Sequence, residues 1–238
     1  MKRLLTITSV ALLTAAMLPV AASAQDDEKP NIAFLPGILD PFYQVMETGI
    51  LKAGEDYGLD IQVAQYPATW GTSAQNPILD ALKGQGNLDY LITAPVSVNE
   101  MIAPLEEALE QGTKIITVDT FLGDGDYVNG PVTFPISYIG SDNVEGGRIS
   151  CGAIADALGG AGKVYIQNTN PDVSSVMGRS QGCREVLDSY PDIEIVAEEF
   201  NEDVEAIGVQ QTEAVLQLHP DLAAVFGVNV FSAQGAAE

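Results

Sequence analysis

Alternation constrains this chain more than any other feature. Short apolar runs of strand type at residues 31–35, 61–66, 90–93 and 114–118 are separated by stretches of helical periodicity, and the pattern restarts after Gly147 with runs at 163–167, 194–197 and 223–227. Phe42, Val45, Met46, Gly49, Ile50 and Ala53 follow the i, i+3, i+4, i+7 spacing of one helix face, as do Val98, Met101, Ile102, Leu105, Ala108 and Leu109. Strands that are apolar on both sides and alternate with helices make a parallel sheet covered on both faces, so the fold class is α/β. The restart favours two lobes over one long sheet, with boundaries at 25–138 and 139–238. The second series has fewer strands than the roughly five usual in this class, and its last helix begins at Val230, so the second lobe reads as C-terminally incomplete.

Between the two series, residues 139–147 read Ile-Gly-Ser-Asp-Asn-Val-Glu-Gly-Gly. Ser141, Asp142 and Asn143 each carry an oxygen that can cap a helix start, and Gly146 and Gly147 allow the first turn to approach a neighbouring backbone closely. This punctuation fits a hinge between two halves and equally an ordinary strand-to-helix turn. A hinge would create a cleft, and with it a place for a ligand.

Residues 1–24 have the three parts of a cleaved secretory signal: Met1-Lys2-Arg3, a short apolar stretch from Leu4 to Val20, and Ala22-Ser23-Ala24 as the cleavage pattern. The mature chain is expected in the periplasm. The full sequence has 33 acidic residues against 10 Lys and Arg, a formal net charge of −23, and losing Lys2 and Arg3 with the leader makes it more negative. Nucleic acid is excluded as a partner, because binding phosphate needs a basic surface, and anionic lipid is disfavoured for the same reason. With 46% hydrophobic residues the chain is nonetheless a folded globular protein. Cys151 and Cys183 lie in predicted helices flanking one strand, which leaves two readings in an oxidising compartment: a disulfide, or two buried thiols.

In open parallel sheets ligands bind beyond the carboxyl ends of the strands. After the first strand comes Asp40-Pro41-Phe42-Tyr43; no G-x-G-x-x-G is present, and Asp40 would repel a pyrophosphate, so a nucleotide cofactor is not expected. Phe42 and Tyr43 suit the apolar face of a sugar ring, although Phe42 also falls on the core stripe. Trp70 stands in the loop after the second strand, either as a ligand platform or as a lid over the core. Asp119 ends the fourth strand, where a carboxylate is costly to bury without a partner, and Arg179 opens a helix with a fork of donors fit for a polyol or a surface ion pair. Asn229 follows the last strand and offers both donor and acceptor, to a hydroxyl or as a helix cap. His219 lies in a turn entering a strand, at the opposite end from these candidates, and is not expected to be a catalytic base. No zinc-ligand spacing is present, and Asp124-Gly125-Asp126 is too short for a calcium loop, so no metal or other cofactor is expected.

Taken together, Asp40-Pro41-Phe42-Tyr43, Thr117-Val118-Asp119, Gly140-Ser141-Asp142-Asn143 with Gly146-Gly147, Arg179 with Gly182, and His219-Pro220-Asp221 with Asn229 resemble the ribose-binding type of periplasmic solute-binding protein, the sugar receptors of ABC importers. The resemblance implies a type I periplasmic binding fold, two Rossmann-like lobes with parallel sheets joined at a hinge and closing on a monosaccharide. It implies that Phe42 and Tyr43 contact the ring and that Asp119, Arg179 and Asn229 bond its hydroxyls; Asp40 and Trp70 join the candidate ligand residues on their own positions in the chain. The chain departs from the ribose receptors at Asp40, where they carry an amide, at Val230, where an acid usually follows the asparagine, and at 201–203, which lacks an aromatic, so ribose is not singled out. The expected function is capture of a sugar or polyol and its delivery, as a monomer, to an inner-membrane ABC permease, with no catalysis. Alternatives are presentation of the ligand to a membrane sensor, or a sugar-acting enzyme built on the carboxylates Asp40 and Asp119.

Overall fold

The computed structural model describes residues 29–238, so the secretory leader expected at 1–24 lies outside the described residues. Strands β1 (Ile32–Leu35), β2 (Ile61–Val63), β3 (Tyr90–Thr93), β4 (Lys114–Val118) and β5 (Ser137–Ile139) form one parallel sheet in the order β2-β1-β3-β4-β5. Strands β6 (Ala161–Asn168), β7 (Asp192–Phe200) and β8 (Leu222–Gly227) form a second, in the order β7-β6-β8. Helices α1 (Pro41–Tyr57), α2 (Thr72–Lys83) and α3 (Ile102–Glu110) belong to the first lobe, and α4 (Asn143–Leu158), α5 (Ser174–Leu187), α6 (Glu205–Leu218) and α7 (Val230–Ala237) to the second. Strand β5 pairs Ile139 with Val118, so Ile139 belongs to the first sheet and not, as expected, to the start of the second lobe.

The strand pleat sends alternate residues to two cores in the first lobe. Ala33, Leu35, Leu91 and Ile115 face Leu79, Leu82, Met101 and Leu105 of the α2–α3 side, while Phe34, Ile92, Ile116 and Val118 face Tyr43, Met46 and Ile50 of α1. Helix α1 departs from the expected stripe by one residue. Tyr43, Met46, Ile50 and Gly54 turn inward, and Phe42 and Val45 are 45% and 73% exposed. The rotation follows from what Tyr43 gains: its ring fills the core beside Phe34, and its hydroxyl donates to Asp119 Oδ2 at 2.9 Å.

In the second lobe α4 and α5 lie together over one face of β6 and β8, around Cys151, Val164, Ile166, Cys183 and Phe226. The contact is backbone to backbone. A Cβ on Gly147 would collide with the carbonyl of Arg179, and one on Gly182 with the carbonyl of Val144. Gly146, by contrast, faces open space. The two helices are also linked covalently by a disulfide between Cys151 and Cys183, whose Cα atoms are 4.9 Å apart.

Of the three capping oxygens proposed for the crossing, Asp142 takes the role, accepting from Glu145 N at 2.9 Å. Asn143 instead directs its Oδ1 to Arg179. Two bonds donated by backbone amides then tie the lobes to each other: Val98 N donates to Asp172 O at 3.1 Å, and Phe121 N to Ser174 Oγ at 3.0 Å.

Candidate functional site

Both sheets carry the order 2-1-3 around their central strand, so each has a switch point where consecutive connections leave in opposite directions and open a crevice at the carboxyl ends. The two crevices face each other. Between them is a cavity of about 150 Å³ whose walls include all seven residues expected from sequence: Asp40, Phe42, Tyr43, Trp70, Asp119, Arg179 and Asn229. Asp203, Thr169, Ser175, Val173, Val176 and Val230 complete the lining. The volume is below the roughly 300–1,000 Å³ of sites for drug-sized molecules and suits one small ring.

Asp40 is the N-cap of α1, its Oδ1 accepting from Phe42 N at 2.5 Å, with Pro41 preset for the first helical position. The cap fixes where Phe42 and Tyr43 project. Their rings meet edge to face with centroids 5.2 Å apart, Tyr43 buried and Phe42 presented to the cavity. Gly37 is required beneath them, since a Cβ there would come within 2.7 Å of the Tyr43 hydroxyl and 3.1 Å of Trp70. Trp70 covers the cores, its Nε1 donating to Val96 O at 3.2 Å and its ring packing against apolar residues of both lobes, and it also lines the cavity.

Asp119 sits just past β4 with φ of +60°, a left-handed conformation in which Asp is among the better-tolerated residues. Its Oδ2 accepts from Tyr43 at 2.9 Å and from Ser175 Oγ at 3.4 Å, so one carboxylate joins the two lobes. Burial pushes its pKa above the ordinary value, against the opposing effect of the Tyr43 hydroxyl and the Arg179 charge. The Tyr43 phenol is in turn raised well above its ordinary value by burial and by the neighbouring Asp119.

From the second lobe, Arg179 is held by donation of Nε to Asn143 Oδ1 and of Nη1 to Val228 O, both at 2.9 Å. It is therefore braced between the start of α4 and the end of β8, and it is not the surface ion pair that its position in sequence also allowed. Asn229 is the helix cap that its position allowed. Its Oδ1 accepts from Ser232 N at 3.0 Å to cap α7, while its Nδ2 donates to Asp203 Oδ1 at 2.6 Å.

Asp203 was not among the expected residues. The apolar run at 194–197 marks strand β7 only as far as Ala197, just before Glu198 and Glu199. The strand continues to Phe200 because Glu198 is neutralised by Arg184 and accepts from Ser180 and Asn168. That extension carries Asp203, at φ of +62°, to the cleft. Burial pushes its pKa up to about 6, against the opposing Asn229 bond. His219 closes α6 at the turn into β8, away from all of these groups. Among the described residues no cluster of His, Cys, Asp and Glu could hold a metal ion.

What this arrangement can do is recognise a small polyhydroxyl ring, with carboxylates, one guanidinium and one amide for its edge and aromatic rings for its faces. The profile of the periplasmic binding protein domain matches residues 32–238. The ribose import binding protein of Bacillus subtilis is 28% identical over 199 residues, which cover 84% of this chain and 61% of that protein. An ABC transporter solute-binding protein of Agrobacterium vitis, solved with bound α-D-tagatopyranose, is 38% identical with a TM-score of 0.84 over 88% of this chain and 70% of that one. A periplasmic solute-binding protein of Actinobacillus succinogenes with bound D-allose has a TM-score of 0.73 at 25% identity, over 87% of this chain and 72% of its own. With the fold, the switch-point cleft and these likenesses in agreement, the chain belongs to the periplasmic binding proteins of the ribose-binding type.

Proposed function

We propose that this protein captures a monosaccharide or related polyol in the cleft between its lobes and presents it to an inner-membrane ABC permease. The reading rests above all on one observation: a single small cavity is walled by Asp40, Tyr43 and Asp119 from the first lobe and by Arg179, Asp203 and Asn229 from the second. A ligand bonded to both walls makes the closed state more favourable than the open one by its differential contacts, and the closed shape is what a permease can distinguish. Delivery at the membrane requires export, which the leader at 1–24 would provide.

Catalysis is not part of the proposal. A glycosidase needs one carboxyl free to give a proton and a second free to attack or to activate water. Here Asp40 caps its own helix and Asp119 holds the Tyr43 hydroxyl.

Calorimetry of the full chain against a panel of pentoses, hexoses and polyols tests the proposal, with recovery of the ligand afterwards. A stoichiometric, chemically unchanged ligand is expected, and Arg179→Ala should weaken its binding by about 10- to 100-fold through loss of charge-assisted bonds. Turnover of any sugar, or wild-type affinity in Arg179→Ala, would defeat the reading.

A further inference from the structure

The contacts that close the cleft divide into those a ligand would make and those the protein makes by itself. Val98 N and Phe121 N, from two loops of the first lobe, donate to Asp172 O at 3.1 Å and to Ser174 Oγ at 3.0 Å in the second. Neither Asp172 nor Ser174 lines the ligand cavity. Ser174 begins α5, a helix without a side-chain cap, and its oxygen is spent on the other lobe. The two donating loops are braced against each other, with Gly123 N donating to Val98 O at 2.8 Å and Thr120 Oγ1 to Pro95 O at 2.6 Å.

The third contact is Trp70, from the loop between β2 and α2. Its ring packs against both cores of the first lobe and against the second-lobe cluster that contains Val173 and Val176, while its Nε1 is anchored on its own lobe by Val96 O. Position gives this contact leverage. The chain crosses to the second lobe after β5, at one edge of the sheet, whereas Trp70 follows β2, at the other edge. Four strand spacings, about 19 Å, separate the two edges. A swing of one lobe about the crossing moves the far edge most, so the apolar contact of Trp70 is the one that opening removes first.

We propose that Trp70 is the latch of lobe closure and Ser174 a clasp that assists it, both acting as positioning residues that hold the cleft shut through contacts of protein with protein. Burying even part of a tryptophan side chain shifts a closed-to-open ratio by about 10-fold. The use of the latch rests on the receptor reading above: a ligand then has to supply only part of the closing free energy, and its apparent affinity depends on residues outside its own contacts.

The test needs no ligand. Full chain shown by mass spectrometry to be free of small molecules is compared by small-angle X-ray scattering as wild type, Trp70→Ala and Trp70→Phe. Trp70→Ala should move the closed-to-open ratio about 10-fold toward open, read as a larger radius of gyration, and Trp70→Phe, which keeps an apolar ring, should scatter nearly as wild type. Trp70 is the chain's only tryptophan, so its own emission reads the latch in a further variant. Ser174 bonds to Phe121 and not to Trp70, so in Ser174→Ala a red shift of the emission and easier quenching by acrylamide are expected from parting of the lobes. If Trp70→Ala scatters as wild type, the inference fails; a lower melting temperature with that unchanged scattering would make Trp70 a lid over the first-lobe cores and nothing more. Should Trp70→Ala not fold, unchanged emission in Ser174→Ala would overturn the inference by itself. The receptor reading stands or falls separately on the sugar panel, since no sugar enters these measurements.

Discussion

In the second lobe two helices, α4 and α5, lie side by side over one face of the sheet, whereas the equivalent face of the first sheet is covered among the described residues by α1 alone. The strand order is the same 2-1-3 in both, so the difference lies in how the covering is held. In the first lobe it is held by side chains, with Tyr43, Met46 and Ile50 against Phe34 and Val118. Where α1 does not reach, Ile32, Tyr90, Ile92 and Ile116 border a cavity of about 280 Å³. In the second lobe the helices meet at Gly147 and Gly182 and are fastened by Cys151–Cys183. The tight pair has a consequence for the site, because Asn143 and Arg179, which bond to each other, stand at the start of α4 and in the first turns of α5. The lobe with the smaller sheet thus holds its side of the cleft by backbone contact and a covalent link, and the lobe with the larger sheet holds its side by a core.

The sharpest way to break this contrast is to give both contact glycines a side chain. In Gly147→Ala/Gly182→Ala each new Cβ overlaps a backbone carbonyl that no rotamer change can move, so α4 and α5 must separate. A loss of more than about 4 kcal/mol is expected, read as collapse of the second lobe in hydrogen exchange while amides of β1 and β3 stay protected. Uniform protection in the double variant would mean that the helices pair through side chains after all.

Next in size is the disulfide. Its closed loop spans a separation of 32 residues, for which the chain-entropy account gives about 3–4 kcal/mol. Cys151→Ala/Cys183→Ala should lose that much in denaturant unfolding, with the loss again confined to the second lobe. Oxidised and reduced wild-type protein unfolding at the same midpoint would show that the glycine contact alone secures the pair.

Sequence carried much of this, for reasons visible in particular residues. Runs such as Ile32–Leu35 and Lys114–Val118 are short, apolar and bounded by turns, so they mark buried parallel strands directly. The cleft residues Asp40, Asp119 and Asn229 were legible because each directly follows a strand or caps a helix at the sheet's carboxyl end, whereas Arg179, expected to open its helix, lies inside α5, which starts at Ser174. Helix α1 was misread by one position because Phe42 and Tyr43 are both aromatic, and hydrophobicity alone does not reveal that only Tyr43 gains a bond to a carboxylate distant in sequence. Asp203 was missed because the apolar run stops at Ala197, and only the structure shows that Arg184, from a different element, pairs with Glu198 in the strand's continuation. Strand β5 was not separately identified, being three residues long and partly exposed, and defined by pairing to β4 rather than by its own composition.

Asp203 offers a smaller, pH-dependent test on the second-lobe side of the cleft. Its folded pKa is raised to about 6 by burial, so the protonated form is favoured on folding. A raised carboxylate pKa contributes stability in acid, and that contribution is lost as pH rises from the unfolded value of 3.8 through about 6. The loss amounts to at most about 3 kcal/mol in the ligand-free protein. Asp203→Asn keeps an acceptor for the Asn229 amide and has no proton to lose, so at pH 7 it should be more stable than wild type, and the advantage should shrink toward pH 4. Equal stability of the two proteins at both pH values would mean that Asp203 is solvated in the free protein and that the cleft does not exclude water from it.

The smallest expected effect is the control that gives the glycine experiment its meaning. Gly49 lies on α1, the first-lobe counterpart of α5, and a Cβ there meets nothing within 4 Å. Its only consequence in the helix is entropic, since glycine fixes more backbone freedom on folding than alanine does. Gly49→Ala should therefore stabilise the protein, by up to about 1 kcal/mol, a change of opposite sign to that at Gly147 or Gly182. A thermal midpoint that falls in Gly49→Ala would show that the exposed side of α1, where Phe42 and Val45 also project, is in close contact with another part of the protein. In that event the first lobe, like the second, would depend on a close helix contact at a glycine.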